Sequence, residues 1–527
     1  MHTSALLVFC LFFALVTVAG FWAARWHRPA DGMHSLEEWG LAGRGFGTWI
    51  TWFLLGGDLY TAYTVIAVPA ALYGAGANGF FAIPYTILVY PYMMLVLPRL
   101  WTICHRHGYI TFADFVRGRY NFRPLTIAIA LTGILALMPY IALQLVGMRV
   151  VIAALGIHGE WPLAAAFIIL AAYTYSSGLR APAIIAIVKD TMLTIMVLVA
   201  IIYLPYKLDG YAHIFALANA ALKSHTPAAS TSLAPSQFMG YSTLAIGSAI
   251  ALMLYPHIAT GVLSAKSAAI VRRNAAMLPA YSFLLGAIAL LGYIALAAGV
   301  VTKDTSLAVP LLFLKMFPEW FAGFCLSAIA VGALVPAAIM SIAASNLFTR
   351  NLWGELRRSP MTPRQESSMA KLVSLIIKFG ALLFVLKLPA PYAIEMQLLG
   401  GIWIAQLFPS VILGAFNTSP ASRRPGEPSD HPSDHASTHT FARTFGLPLH
   451  PWALFTGWAV GMSSGTAMAL SLGLKSSVYR VPHIGGMYAA VPALILNLVV
   501  AITFTAILRL TRSTPVLDTT DPTAYTG

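Results

Sequence analysis

About thirteen stretches of this chain are apolar and long enough to cross a bilayer, roughly 20 residues each, and the sparse charges fall between them on alternating sides. Only 9% of residues are charged, 58% are hydrophobic, and the mean hydropathy is +0.76. No water-soluble fold covers that much apolar surface, so lipid is the expected solvent and the fold class is an all-α polytopic membrane protein.

Spans are expected at about residues 5–24, 46–73, 79–101, 125–155, 161–178, 181–206, 238–264, 275–302, 318–351, 370–388, 391–416, 450–473 and 484–510. With the N-terminus outside and the C-terminus in the cytoplasm, the inward loops hold roughly 22 of the 32 Lys and Arg, against about 7 outside and about 3 within spans. One inward loop carries Arg99, Arg106, Arg117, Arg119 and Arg123, and another Arg350, Arg357, Arg358, Arg364 and Lys371. The net charge of +14 is thereby explained by topology, and nucleic-acid binding is not expected. The first span has no basic residue before it and no small-residue cleavage pattern after it, so it reads as a retained helix rather than a signal peptide. Cys10, Cys104 and Cys325 lie far apart, in or near spans, and offer neither a disulfide framework nor metal spacing.

Four segments follow from this pattern: an N-terminal helix and first cytoplasmic loop (1–45), a core (46–416, with halves at about 46–206 and 238–416), a linker (417–444), and a final helix pair with its tail (445–527). The linker is rich in Pro, Ser and Thr and is expected to be disordered. Its His431, His435 and His439 recur every four residues, but the prolines around them oppose the helix that would gather them onto one metal-binding face. The core leaves no room for a soluble catalytic module. No His-Glu-x-x-His motif and no nucleophile paired with His occurs at convincing spacing, so the chain is not expected to be an enzyme or to need a cofactor.

Two spans carry breakers at corresponding places in the two halves: Gly56-Gly57 in the second, and Tyr255-Pro256-His257 in the seventh. Glycine weakens a helix and proline removes a backbone donor, so both spans are expected to open within the membrane and present bare carbonyls and amides to a ligand. A channel would not explain paired broken helices.

Several fragments together resemble the sodium:solute symporter family over about residues 40–416. They are Ala67-Val68-Pro69-Ala70-Ala71-Leu72-Tyr73, Tyr109 to Phe115 with Arg119-Tyr120, Gln144-Leu145-Val146-Gly147, Lys189-Asp190 where the family usually has Thr-Asp, and Ala338 to Ser345. The resemblance implies the leucine-transporter-like fold, an inverted five-helix repeat with broken first helices and alternating access to a central site. The run Leu254 to Ser264, with Arg272-Arg273-Asn274 and Leu278-Pro279-Ala280-Tyr281-Ser282, is most similar to bacterial monocarboxylate permeases, which carry lactate, pyruvate and related acids. Proline permeases share Pro-His-Ile, but their aromatic positions one and two turns earlier correspond to Leu252 and Ser248 here.

An ionisable side chain at depth in a membrane is costly and marks a functional candidate. Asp58, Lys189, Asp190 and His257 qualify, and so do Arg149, Lys378 and Glu395, which can also snorkel or sit at an interface. Asp58, Lys189 and Asp190 are assigned to coupling. The resemblance places a cation site on the carbonyls of Gly57, Tyr60 and Ala338 plus two adjacent ninth-span hydroxyls. Ser341 supplies one hydroxyl, or else bonds a carbonyl one turn back; the second position is Ile342, which cannot ligate an ion. No metal site other than this one for sodium is expected. An ammonium at Lys189 can stand for a fixed monovalent cation, which opens a proton as the coupling ion, or it can snorkel inward. Adjacent helical residues project about 100° apart, so Lys189 and Asp190 are not expected to face one partner.

For a small acid, Thr61 and Tyr63 beyond the first break, Tyr140 and Gln144 on the fourth span, and His257 beside Pro256 at the second break offer hydrogen-bond donors. The expected function is import of a short monocarboxylate (lactate, pyruvate, acetate or propionate) across the bacterial inner membrane by sodium or proton symport. The rivals are a symporter of an amino acid or other small organic solute, and a membrane sensor that binds solute without moving it. The partners are then a small organic acid and the bilayer, and oligomeric state is left open.

Overall fold

In hydrocarbon each backbone N–H must be satisfied within its own segment, and helix does this at every residue. The computed structural model describes residues 3–26, 33–157, 159–387, 391–416, 449–511 and 518–525. The linker expected at 417–444, with His431, His435 and His439, lies outside them. A helix lies over each expected span, and ten helical runs among the described residues are long and apolar enough to cross a membrane unaided.

The chain begins with α1 (Thr3–Trp22), then the interrupted pair α2 (Thr48–Leu59) and α3 (Val68–Ala75), and α4 (Ala82–Arg106). A short surface helix, α5 (Phe112–Tyr120), leads into α6 (Arg123–Ala154), α7 (Trp161–Ser177) and α8 (Arg180–Lys207). The second half repeats the interruption in α9 (Phe238–Leu254) and α10 (Pro256–Leu263), followed by α11 (Pro279–Ala297), α12 (Glu319–Leu347), α13 (Pro363–Lys387) and α14 (Pro391–Ile404). The final pair is α15 (Pro451–Ser471) and α16 (Ala490–Leu510). One correction arises here: residues 485–488, expected within the last span, form a strand. β1 (Val478–Val481) and β2 (Gly485–Tyr488) make an antiparallel hairpin with Val478 opposite Tyr488.

The most apolar window of α12 is buried throughout, and α12 packs against α1, α6, α8 and α13. Small residues allow this. At Gly323 an added Cβ would lie 2.4 Å from the Ala5 carbonyl oxygen, so α1 crosses α12 backbone to backbone. The outer faces of α1 and α16 instead carry Leu7, Leu11, Val499 and Leu510 exposed, as lipid requires. The final pair joins the bundle through α14: Asn497 Nδ2 donates to the carbonyl of Gln406, 2.9 Å away, just beyond that helix.

The loops rich in Lys and Arg share one face, called here the basic face. There Thr111 and Asp114 close a capping box at the start of α5. Asp114 also accepts from Asn351 Nδ2 at 2.6 Å and from the Ile110 amide at 2.9 Å, which ties α5 to the end of the ninth expected span.

Candidate functional site

The two interruptions meet at the centre of the bundle. The first comes three residues later than the glycine pair suggested, because Gly56 and Gly57 are helical and serve another purpose. An added Cβ at Gly56 would lie 2.0 Å from Cζ of Tyr281, and one at Gly57 3.2 Å from Nζ of Lys189, so these glycines make room for side chains arriving from α11 and α8. The helix ends at Tyr60, whose φ of −90° and ψ of 82° turn the chain away.

Side chains then replace the lost helical bonds. The Thr61 amide donates to Thr64 Oγ1 at 2.9 Å, the Ala62 amide to Gln144 Oε1 at 2.9 Å, and the Tyr63 amide to Thr61 Oγ1 at 3.1 Å. Thr61 and Gln144, predicted to contact solute, therefore spend these acceptors on the broken backbone.

The freed carbonyls face a cation supplied by the protein itself. Lys189 Nζ donates to the carbonyl oxygens of Gly57 at 2.6 Å and Tyr60 at 2.9 Å, and it lies 3.1 Å from Asp190 Oδ1. Tyr281 OH donates to Asp190 Oδ2 at 2.8 Å, and the rings of Tyr60 and Tyr281 are 4.6 Å apart. Lys189 is fully buried and does not snorkel. The expectation that the adjacent pair face apart is also corrected. The long lysine stem bends its head to the break, within reach of the neighbouring carboxylate. Asp58, in the last turn of α2, is buried near both residues, and neither of its oxygens has a hydrogen-bond partner among the described residues.

Of the three carbonyls predicted for a cation, Gly57 and Tyr60 thus hold the ammonium. Ala338 accepts instead from Ser341 Oγ at 2.8 Å, the bond one turn back that the sequence allowed. Ser341 Oγ accepts a long bond from Ser374 at 3.4 Å, and Ser374 accepts from Lys378 Nζ at 2.7 Å. Ile342 is fully buried and brings no oxygen. Arg149 is ion-paired with Glu160 near the end of its helix.

At the second interruption Tyr255 is extended, with φ −62° and ψ 134°, and Pro256 begins α10. His257 is fully buried, its ring against Tyr140 and Tyr255 at 5.5 and 5.3 Å, and neither ring nitrogen has a partner among the described residues.

Two cavities flank this centre. One, of about 20 Å³, opens toward the basic face between Thr111, Phe112, Pro256, Thr260 and Leu347. The other, also of about 20 Å³, lies on the opposite side and is walled by Tyr63, Tyr85, Tyr140, Tyr255 and Tyr488 with Ser248, Leu252, Gln397 and Leu398. Each has room for about one water molecule, so a solute enters only when the walls move apart. Tyr63 and Tyr140 were anticipated as solute contacts. Ser248 and Leu252 stand where spacing back from the Tyr255 break by one and two turns puts them. Tyr85, Gln397 and Tyr488 carry no signal in the sequence, since each is an ordinary residue on a distant segment.

The sodium:solute symporter family model matches residues 39–418. A monocarboxylate transport permease protein of Rhizobium johnstonii is 48% identical over 509 residues, covering 96% of this chain and 97% of that one. An uncharacterised symporter of Bacillus subtilis is 34% identical over 423 residues, covering 79% and 83%. The substrate-bound outward-open structure of a sodium-coupled sialic acid symporter superposes with a TM-score of 0.73 at 14% identity, over 98% of this chain and 99% of that one. That likeness shows the fold, a leucine-transporter-like bundle of inverted repeats whose first helices are α2/α3 and α9/α10. With its match running through both halves of the bundle, the chain belongs to the sodium:solute symporter family.

Proposed function

We propose that the protein imports a short monocarboxylate together with a proton across the bacterial inner membrane, with the basic face in the cytoplasm. The observation that carries the proton is the Lys189 ammonium on the carbonyls of Gly57 and Tyr60, where a bound monovalent cation would otherwise sit. Protonated, it links α8 to the break in α2 and is balanced by Asp190. Deprotonated, it loses the charge the carbonyl dipoles hold, and the tie between the helices weakens to neutral hydrogen bonds. One titration thereby couples proton release to the geometry of the broken helix, with Asp58 and Asp190 along the route.

The monocarboxylate rests on the tyrosine-walled cavity and on the likeness to the monocarboxylate transport permease protein of Rhizobium johnstonii. The hydroxyls of Tyr63, Tyr85 and Tyr140 supply donors for a carboxylate, and Ala251, Leu252 and Leu398 supply an apolar wall for its carbon end. Sodium symport is the second reading, favoured by the family's description. A sodium ion would need the oxygens that Lys189 occupies.

Reconstituted protein should accumulate labelled lactate or pyruvate when a pH gradient is imposed without sodium, and Lys189→Met should abolish that response. Strict sodium dependence with no effect of the pH gradient would refute the proton reading. Binding without accumulation would leave a sensor rather than a transporter.

A further inference from the structure

The hairpin between α15 and α16 lies beyond residue 418, where the family match ends, yet its last residue reaches the central cavity. Tyr488 is 1% exposed, although it closes a hairpin whose tip residue Ile484 is 55% exposed. Its hydroxyl donates to the Leu398 carbonyl on α14 at 2.6 Å, and its amide donates to Thr243 Oγ1 on α9 at 3.0 Å. Two glycines form the slot for the ring. A Cβ at Gly247 of α9 would stand 2.5 Å from Cδ1 of Tyr488, and one at Gly401 of α14 would stand 2.3 Å from its hydroxyl. At the hairpin base, Ser477 is hydrogen-bonded to the Glu395 carboxylate.

The Tyr488 ring shares this cavity's wall with Ala251, Leu252 and Leu398 and with Tyr63, Tyr85 and Tyr140, whose hydroxyls offer donors to an anionic head. Resting on the proposed monocarboxylate reading, we propose that Tyr488 is the specificity-determining wall that limits the length of the substrate's carbon chain. An aromatic ring fixed by a hydrogen bond at its far end and slotted between two glycines cannot yield to an extra methylene without breaking those contacts.

The test is competition against labelled lactate uptake in proteoliposomes by the unbranched series acetate, propionate, butyrate, valerate and hexanoate. In the wild type, competition should fall off along the series. In Tyr488→Ala, longer acids should compete, each newly accommodated methylene tightening competition by about 4-fold, the fold-change expected for burying one CH₂. Tyr488→Phe keeps the ring and loses only the bond to Leu398, so it should keep the wild-type ranking whatever its rate. If Tyr488→Ala is not recovered folded, Tyr488→Leu decides the same question with a smaller shift in the same direction. An unchanged ranking in the truncated variant overturns the proposal, and so does a broadened ranking in Tyr488→Phe. A wild type that accumulates none of these acids sinks the monocarboxylate reading instead. The ring's role is then decided on the solute the wild type does accumulate, against its homologues one methylene longer.

Discussion

The Lys189 ammonium meets the Gly57 carbonyl across 2.6 Å, from the middle of α8 to the last turn of α2. Gly57 permits the approach, since a side chain there would crowd the nitrogen at 3.2 Å. A charge so deeply buried is tolerated only with a counter-charge and full hydrogen bonding, and Asp190 and the Tyr60 carbonyl complete that requirement. The cluster is therefore a single electrostatic unit whose parts answer to mutation differently.

Asp190→Asn leaves the ammonium without its adjacent counter-charge. Breaking a buried pair in this way costs about 3–5 kcal/mol, while Tyr281→Phe, which removes one hydrogen bond to a charged group, costs about 1.5–3 kcal/mol. Thermal unfolding in detergent should rank the two in that order. Asp190→Asn should also slow turnover more than it weakens equilibrium substrate binding, because the proposed proton route runs through the Lys189 ammonium beside it. Unchanged turnover in reconstituted protein would remove it from that path.

The membrane class, the helix intervals and the positions of both interruptions to within a few residues were legible from hydropathy and from Gly and Pro, because those signals are local. The two-faced use of Gly56-Gly57 was not. Whether a glycine marks a break or a close approach depends on what arrives from elsewhere, here Tyr281 and Lys189. In the same way the Lys189-Asp190 pairing escaped helical geometry, because a lysine stem is long enough to undo a 100° offset. Tyr488 was illegible for a third reason: about 90 residues separate it from Leu398, and no periodicity reports such a contact.

Gln144 holds the first interruption open, with its Oε1 on the Ala62 amide and its Nε2 donating to the Tyr140 carbonyl at 3.3 Å. Gln144→Leu keeps the volume and strands a buried N–H, which costs about 1–3 kcal/mol. Affinity for every solute should fall together and thermal stability should drop. If stability held and only one acid lost affinity, Gln144 would be a direct solute contact rather than a brace.

Ser248 and Leu252 line the cavity wall at the positions that the family resemblance aligns with the aromatic residues of proline permeases. Lactate uptake should be competed well by pyruvate and poorly by proline. Ser248→Trp with Leu252→Tyr should narrow the cavity and weaken lactate competition further. Proline displacing labelled lactate as well as pyruvate does would make the cavity's specificity wider than its walls suggest.

The coupling ion gives the last prediction. Sodium prefers a shell of neutral oxygens, and the cation site that the family resemblance implies is altered twice here: Lys189 covers the carbonyls of Gly57 and Tyr60, and Ile342 stands where that pattern has a second hydroxyl beside Ser341. Lys189→Thr alone bares the carbonyls but leaves the shell one oxygen short, so uptake should lose its response to a pH gradient without gaining one to sodium. Ile342→Ser alone adds an oxygen while the ammonium still occupies the site, and proton-driven uptake should persist. Only the two together empty the site and complete it. The double variant should show sodium-stimulated uptake that ignores the pH gradient, measured in proteoliposomes with each gradient imposed separately. Sodium stimulation already present in the wild type, and unaltered by either change, would place the coupling ion elsewhere and leave Lys189 a fixed strut between α8 and α2.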